Sequence, residues 1–330
     1  MHLNSPPGSK RSSLRELLRT KPIPLFGGWG ATAHHAQLSE VTGFDFFGVS
    51  GSNTSTHLLG LPDAGFLTLT EMVENARRIC SAVSIPVIVD CDTGFGNAIN
   101  VVRTTEEMIR AGASCLFIED QVAPKRCGFV KGKEIIPVEE ATEKIRASCD
   151  VRNRVDPEFM IMARTDARGA VDGGMDEALR RGKAYQQAGA DILYFEALQS
   201  REEIGAVRHA FPHAYLEITP WAVNPPISSR EIVELGITFT SVHMGRVGAV
   251  AMYDFLKQYR EQGEDAYNAF AAETKEHPLG GFRIFDMTGF PKILEMEREF
   301  LPADTKDKYE NSLGTYDPRT AQSKAASGGS

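Results

Sequence analysis

From residue 22 onward the chain alternates short apolar runs with longer amphipathic stretches, and eight such runs can be counted before residue 244. They fall at 22–28, 45–50, 85–91, 115–119, 159–164, 191–196, 214–218 and 237–243, of strand length and rich in β-branched and aromatic residues. Between them, 70–82, 101–112, 138–148, 175–188, 200–210 and 246–260 repeat their apolar residues at helical spacing. Ala111-Gly112-Ala113, Ala188-Gly189-Ala190 and Thr42-Gly43-Phe44 place a glycine where a left-handed C-cap would turn the chain back onto a sheet. Two architectures alternate in this way, the (β/α)8 barrel and the doubly wound open sheet.

The polar residues favour the barrel. Trp29, Ser50-Gly51-Ser52, Asp90 with Asp92, Glu119-Asp120-Gln121, Arg164-Thr165-Asp166, Glu196, Glu217 and His243 all stand at the C-terminal ends of proposed strands. In an open sheet the edge strands lie too far apart to share one site, whereas a barrel gathers all eight ends on one face. We therefore expect an α/β, (β/α)8 TIM-type barrel over 13–262. A flexible arm, 1–12, precedes it and leads into a first helix. Helical stretches at 264–276 and 289–300 have no strands to complete, so segment 263–302 is expected to pack on the barrel or on another subunit. A polar tail, 303–330, follows.

Bulk properties narrow the partners. With 330 residues, 42% hydrophobic and 24% charged, the chain has the make-up of an ordinary globular protein. A net charge of −8 gives no support to nucleic acid or an acidic membrane surface, which leaves small molecules. No apolar stretch approaches the roughly 18 residues of a membrane span, and the N-terminus lacks a signal-peptide core. Lys10, Arg11, Arg15 and Arg19 give the first twenty residues a faint organelle-targeting character, which Glu16 and two prolines oppose, so a cytoplasmic location is expected with targeting left open. The five cysteines lack metal-type spacing, and Cys80, Cys91, Cys115 and Cys149 are read as reduced core residues.

Two stretches carry the chemistry. In Val89-Asp90-Cys91-Asp92-Thr93-Gly94-Phe95-Gly96-Asn97 two carboxylates appear where an apolar strand stops and glycines force a turn. Held there, they need a cation or several donors, and hard oxygen ligands beside a turn suit Mg²⁺. A solvated Asp-Thr-Gly turn is the plainer alternative. The second stretch runs from Glu119 to Lys133, where Lys125, Arg126, Lys131 and Lys133 surround Cys127 and would favour its thiolate, while Gly128 and Gly132 let the loop bend as a gate would. An exposed basic loop with an incidental cysteine is the alternative there.

Taken together, these motifs resemble the isocitrate lyase and phosphoenolpyruvate mutase superfamily, in its methylisocitrate lyase or dimethylmalate lyase-like branch. The resemblance runs from about Ser13 to Pro302. It includes Gly60-Leu61-Pro62-Asp63 with Thr68-Leu69-Thr70-Glu71-Met72, the Asp90-x-Asp92-Thr93-Gly94 motif, Glu119, Ala163-Arg164-Thr165-Asp166-Ala167 and Glu196. It implies Mg²⁺, or Mn²⁺ in its place, nearest Asp90, with Asp63, Asp92 and Glu119 holding it partly through waters. It further implies Ser50, Gly51, Ser52 and Arg164 on an α-oxo-carboxylate, Cys127 as the acid, Glu196 for orientation, and C-terminal helices exchanged within a homodimer or homotetramer. Trp29, Asp63, Lys125, Gly128, Phe129, Glu217 and His243 complete the expected substrate contacts.

Three departures bear on the substrate. The lyases carry Lys-(Lys/Arg)-Cys-Gly-His where this chain has Lys125-Arg126-Cys127-Gly128-Phe129. After strand seven an Asn-Met-Thr-Glu-like motif is replaced by Glu217-Ile218-Thr219-Pro220-Trp221, and after strand eight a Tyr-Pro pair by His243-Met244. The implied activity is Mg²⁺-dependent retro-aldol cleavage of a 2-hydroxy di- or tricarboxylate, a substituted malate or isocitrate-like acid, to pyruvate or glyoxylate and a second carboxylate that Cys127 protonates. Oxaloacetate hydrolysis or decarboxylation, or a phosphonate rearrangement, are the alternatives on the same scaffold. A metal-binding regulatory protein without turnover is the third.

Overall fold

Two prolines decide where the first strand begins. Pro22 and Pro24 have no N–H to give a ladder. In the computed structural model, which describes residues 13–303, pairing starts at Leu25, whose N–H donates to Thr238 O at 2.8 Å. Strand β1 is therefore Leu25–Gly30 rather than the 22–28 of the apolar run, and Trp29 lies inside it. The others are β2 (Phe46–Val49), β3 (Val87–Asp90), β4 (Cys115–Glu119), β5 (Met160–Thr165), β6 (Ile192–Phe195), β7 (Tyr215–Ile218) and β8 (Phe239–His243).

Neighbours from β1 to β7 pair in parallel, and β8 pairs in parallel with β1. The β7–β8 seam is bridged by Thr238 N–H donating to Leu216 O at 3.0 Å and by Leu216 N–H donating to the Thr238 hydroxyl at 2.9 Å. The sheet is thus a (β/α)8 barrel, as expected, and the open doubly wound sheet is excluded. Helices Leu69–Cys80, Ala98–Ala111, Val138–Val155, Met175–Gln187 and Arg201–Ala210 connect successive strands. Two more, Ala33–Val41 and Ser229–Glu234, escaped the periodicity, the first because Ala-His-His-Ala-Gln-Leu-Ser-Glu-Val has no continuous apolar stripe, the second because it is six residues long.

The barrel interior follows the two-residue pleat of its strands. Ile88, Phe117, Met162 and Tyr194 belong to one buried cluster inside the ring, joined by Leu14 and Leu18 of helix Leu14–Thr20. Two residues further along the same strands, the same inward register delivers Asp90, Glu119, Arg164 and Glu196. By the same parity Glu217 follows Tyr215. A larger cluster, including Val89, Ile118, Ala163 and Leu193, faces outward and is covered by the helices. Cys80, Cys91, Cys115 and Cys149 are buried cysteines outside any disulfide, as expected for core residues.

The chain divides into two compact units, whose described parts are 13–250 and 251–303, and the division falls inside helix Met244–Gln262. The apolar pattern had placed the end of the barrel domain at 262. The difference has a physical basis: Phe255, in the second half of that helix, packs its ring against Tyr267 and Phe270 of helix Glu264–Glu273. The second unit also contains helix Phe290–Phe300. The arm 1–12 and all but the first residue of the tail 303–330 lie outside the described residues. No helix of the described residues is long and apolar enough to cross a membrane.

Candidate active site

At the C-terminal end of the barrel a cavity of about 540 Å³ opens, lined by residues from all around the ring. Asp90, the last residue of β3, is 5% exposed and faces it. Its Oδ2 accepts the Gly51 N–H at 3.0 Å and its Oδ1 the Asp92 N–H at 3.0 Å. A Cβ on Gly51 would stand 2.8 Å from Asp90 Oδ2, so this approach requires glycine. Burial, reinforced by Asp92, pushes the Asp90 carboxyl up to about 6, against the opposing pull of Lys125 and Arg164.

Lys125 lies at the centre of the remaining acids. Its ammonium is 2.8 Å from Asp63, 3.0 Å from Asp92 and 3.9 Å from Glu119. Burial would lower its pKa, but Glu119, Asp92, Asp90 and Asp63 together outweigh that and hold it well above the usual lysine range. Glu119 is fully enclosed and its carboxyl is pushed up by burial; neither of its oxygens has a hydrogen-bond partner.

The metal question can be put to these atoms. Among the described residues no group of three His, Cys, Asp or Glu side chains is arranged to hold an ion unaided, and the Lys125 ammonium lies between Asp63 and Asp92. Mg²⁺, however, is commonly bound through one or two carboxylates with water and substrate completing the shell. Asp90 at the cavity wall, with Asp63, Asp92 and the unpartnered oxygens of Glu119 close by, is a hard-oxygen donor set that fits such an ion.

Arg164, the next cation, is held from three sides. Its guanidinium bonds Asp166 at 2.9 and 3.1 Å, approaches Glu119 at 3.4 Å and Glu196 at 3.1 Å, and lies 5.2 Å over the Tyr194 ring. Glu196 is saturated in turn: its oxygens accept from the Tyr194 hydroxyl, the Ala197 N–H and the Thr219 hydroxyl at 2.9, 2.9 and 3.0 Å. A carboxylate so fully engaged orients its neighbours and has no lone pair free for proton transfer.

The loop after β4 closes over one side. Gln121 grips it at Arg126, donating to the carbonyl and accepting from the N–H, both at 2.9 Å. Lys133, 2% exposed, donates to Gly128 O at 2.6 Å and to Asp166 at 2.8 Å, tying the loop to the anchor of Arg164. Gly128 passes so near the site that a Cβ there would lie 2.6 Å from Arg164 and Glu196 atoms. Cys127 lines the cavity, and its thiol is pushed up by burial, which outweighs the Phe129 N–H, Arg164 and Lys125. This corrects the expected thiolate: Lys125 and Lys133 are spent on carboxylates and a carbonyl, so the cysteine stays protonated.

Trp29, Ser50, Ser52, Asp63, Gly128, Phe129, Glu217 and His243, all expected to touch substrate, line the cavity. Gly51 and Lys125, expected to touch substrate, do not line it; Gly51 gives its N–H to Asp90, and Lys125 is buried among the acids behind. Burial lowers the pKa of His243. Sequence reasoning passed over Tyr194 as a cavity residue, although its inward register two positions before Glu196 was a usable signal. Lys133 was noted only as a loop charge, and nothing local predicts its reach to Asp166.

A (β/α)8 barrel with carboxylates, a buried arginine and a protonated thiol at the C-terminal mouth is the framework of a barrel enzyme acting on small anionic compounds. The family model described as phosphoenolpyruvate phosphomutase matches residues 14–262, and the chain belongs to the phosphoenolpyruvate mutase and isocitrate lyase superfamily. It is 39% identical over 299 residues to 2,3-dimethylmalate lyase from Eubacterium barkeri, covering 88% of this chain and 97% of that one. The crystal structure of phosphoenolpyruvate phosphomutase from Streptomyces platensis subsp. rosaceus superposes with a TM-score of 0.80 at 31% identity, covering 89% of this chain and all of the other. Phosphonopyruvate hydrolase, solved with oxalate and Mg²⁺, gives a TM-score of 0.74 at 30% identity over 89% of this chain and 100% of its own.

Proposed function

We propose that this chain is a Mg²⁺-dependent carbon–carbon lyase that cleaves a 2-hydroxy di- or tricarboxylate to an α-oxo acid, pyruvate or glyoxylate, and a second carboxylic acid. The observation that carries the reading is Cys127, a thiol kept protonated at the cavity wall beside Arg164. Retro-aldol cleavage ends with a carbanion that needs a proton, and a neutral, substrate-facing thiol is an acid suited to give it. When bound, Mg²⁺, or Mn²⁺ in its place, supplies Lewis acidity toward the substrate hydroxyl and neutralises the oxo-acid's charge. Asp90, Asp92, Asp63 and Glu119 would hold it.

The remaining work falls to the chain's own groups. Arg164, fixed by Asp166, Glu119 and Glu196, presents a positive face to the substrate's α-carboxylate. Lys133 holds Gly128 against that arginine and so sets the position of Cys127. Phe129 and Gly128 cover the cavity on the loop side and exclude water. The superfamily's metal dependence and a relative bound to oxalate with Mg²⁺ support the reading.

The test is release of α-oxo acid from a panel of 2-hydroxy dicarboxylates, tricarboxylates and oxaloacetate, with and without Mg²⁺, for wild type and Cys127→Ser. Metal-dependent release from a hydroxy acid, lost in the variant, establishes the lyase. Pyruvate released only from oxaloacetate establishes decarboxylation instead, oxalate formed from it establishes hydrolysis, and consumption of phosphonopyruvate added to the panel establishes the phosphonate chemistry that the likeness to the mutase and hydrolase structures supports. We also propose a homodimer or homotetramer with exchanged C-terminal helices. Tyr267, Phe270, Phe282, Phe285 and Phe300 of the second unit are exposed large apolar side chains, which supports it. A chain truncated near residue 285 that keeps the full-length size in solution would count against the exchange.

A further inference from the structure

The cavity has two unlike halves. On one side stand Asp63, Asp90, Arg164, Ser50 and Ser52. On the other stand Trp221, Phe129, Ile218, Val242 and Val247. Phe129 and Trp221 lie with ring centroids 4.0 Å apart at 39°, and the His243 ring meets Trp221 nearly edge-on at 6.2 Å. Into this apolar half projects one buried acid, Glu217, 2% exposed, whose Oε2 has no hydrogen-bond partner. The contrast with Glu196 on the next strand, which has a partner on each oxygen, is direct.

An unpartnered buried carboxyl is costly unless a ligand completes it. The nearest charge to Glu217 is Glu196, a like charge, and the one cation lining this half is Arg246, exposed at the rim. Burial and Glu196 both push the Glu217 carboxyl well above the usual range, which favours its neutral, donating form. A second free carboxylate placed deep in this half would meet aromatic rings and two acids, with His243 beside Trp221 and the Arg246 guanidinium, exposed at the rim, as its favourable neighbours. Pockets of about 300–1,000 Å³ hold drug-sized ligands, so the cavity has room for more than a bare malate.

We propose that the leaving half of the substrate carries one carboxylate, hydrogen-bonded by Glu217, and a sizeable apolar substituent packed on Phe129 and Trp221, so that the substrates are 3-alkyl- or 3-arylmalates and not isocitrate-like tricarboxylates. This rests on the lyase reading above. In the cleavage the C2–C3 bond breaks and its electron pair remains on C3. The hydroxyl proton leaves to water as C2 becomes the carbonyl of the oxo acid, C3 takes the Cys127 proton, and water returns a proton to the thiolate. The second product is then a monocarboxylic acid with an apolar chain. The acid from a tricarboxylate would instead be a dicarboxylate such as succinate.

Two measurements separate this proposal from the lyase reading itself. Turnover with Mg²⁺ is compared for 3-butylmalate, 3-benzylmalate and isocitrate. In parallel, calorimetry with Mg²⁺ and oxalate present compares binding of hexanoate and 3-phenylpropionate with that of succinate. The expected result is a kcat/KM at least about tenfold higher for the substituted malates, with the monocarboxylates binding more tightly than succinate. Trp221→Ala and Phe129→Ala remove side chains that are 53% and 39% exposed, so folding should survive, and each should cut the preference about tenfold. Glu217→Ala should weaken 3-phenylpropionate binding more than Glu217→Gln, which keeps a neutral donor. Isocitrate turned over best, succinate bound as tightly as the monocarboxylates, or a preference unmoved in Trp221→Ala would each overturn the proposal. No turnover of any hydroxy acid, with the binding order intact, would overturn the lyase reading alone.

Discussion

Arg164 and Glu217 stand across the same cavity and solve the problem of a buried polar group in opposite ways. Arg164 is bonded by Asp166 and faces Glu119 and Glu196, and these carboxylates offset the loss of water enough to hold its pKa well above normal. Glu217 has only a like-charged neighbour and aromatic surroundings, and its Oε2 is left without a partner. One half of the cavity is organised before any ligand arrives; the other is completed by it. Preorganised charge belongs where charge develops during the reaction, and an incomplete subsite belongs where a substrate is chosen.

The sharpest way to break this contrast is to remove the fixed charge. Arg164→Met takes a guanidinium from three buried carboxylates, leaving Asp166 only Lys133, Glu119 only Lys125 at 3.9 Å and Glu196 its hydroxyl and N–H donors, and should cost about 3–5 kcal/mol of stability, read from urea unfolding, with activity lost as well. If Arg164→Met keeps wild-type stability, the charged half is not preorganised as described. Cys127→Ser is expected to lower kcat by about 10²–10³-fold without moving the unfolding midpoint, because a serine hydroxyl is a far weaker acid in the same place. An unchanged kcat would remove the thiol from the chemistry.

Smaller effects test how the two halves are joined. Lys133→Met should let Gly128 and Cys127 drift, lowering kcat by up to about 10²-fold with KM little changed; a change confined to KM would assign the lysine to binding. The last prediction concerns pH. Asp90 has its folded pKa raised to about 6 from an ordinary 3.8, so between those values the folded chain holds a proton that the unfolded chain has released. That stabilising contribution is present at low pH and is lost as pH rises through about 6. Mg²⁺ must compete with the same proton, so the rise in Tm on adding Mg²⁺ should grow from about pH 5 to about pH 7. A metal effect flat across that window would detach Asp90 from the ion.

Much of the site was legible because strands impose a two-residue rhythm. An apolar strand that ends in a carboxylate announces an inward-facing group at the barrel mouth, which is how Asp90, Glu119, Glu196 and Glu217 were found. The loop cysteine was also found, but its charge state was misjudged. Sequence proximity put four cations around Cys127, whereas in space Lys125 turns to Asp63 and Asp92, and Lys133 to Asp166.

By itself, then, the sequence determined the strand and helix alternation, the inward parity of the carboxylates and the presence of a cysteine in the loop after the fourth strand, since periodicity and residue chemistry are local properties. Only the tertiary structure decided that Lys125 sits among the acids, that Gly51 serves Asp90, that Lys133 ties the loop to Arg164, and that Glu217 has no partner for Oε2 beside an aromatic wall. Pairing between side chains tens of residues apart depends on which of several competing partners burial brings within reach, and that is fixed only when the barrel closes.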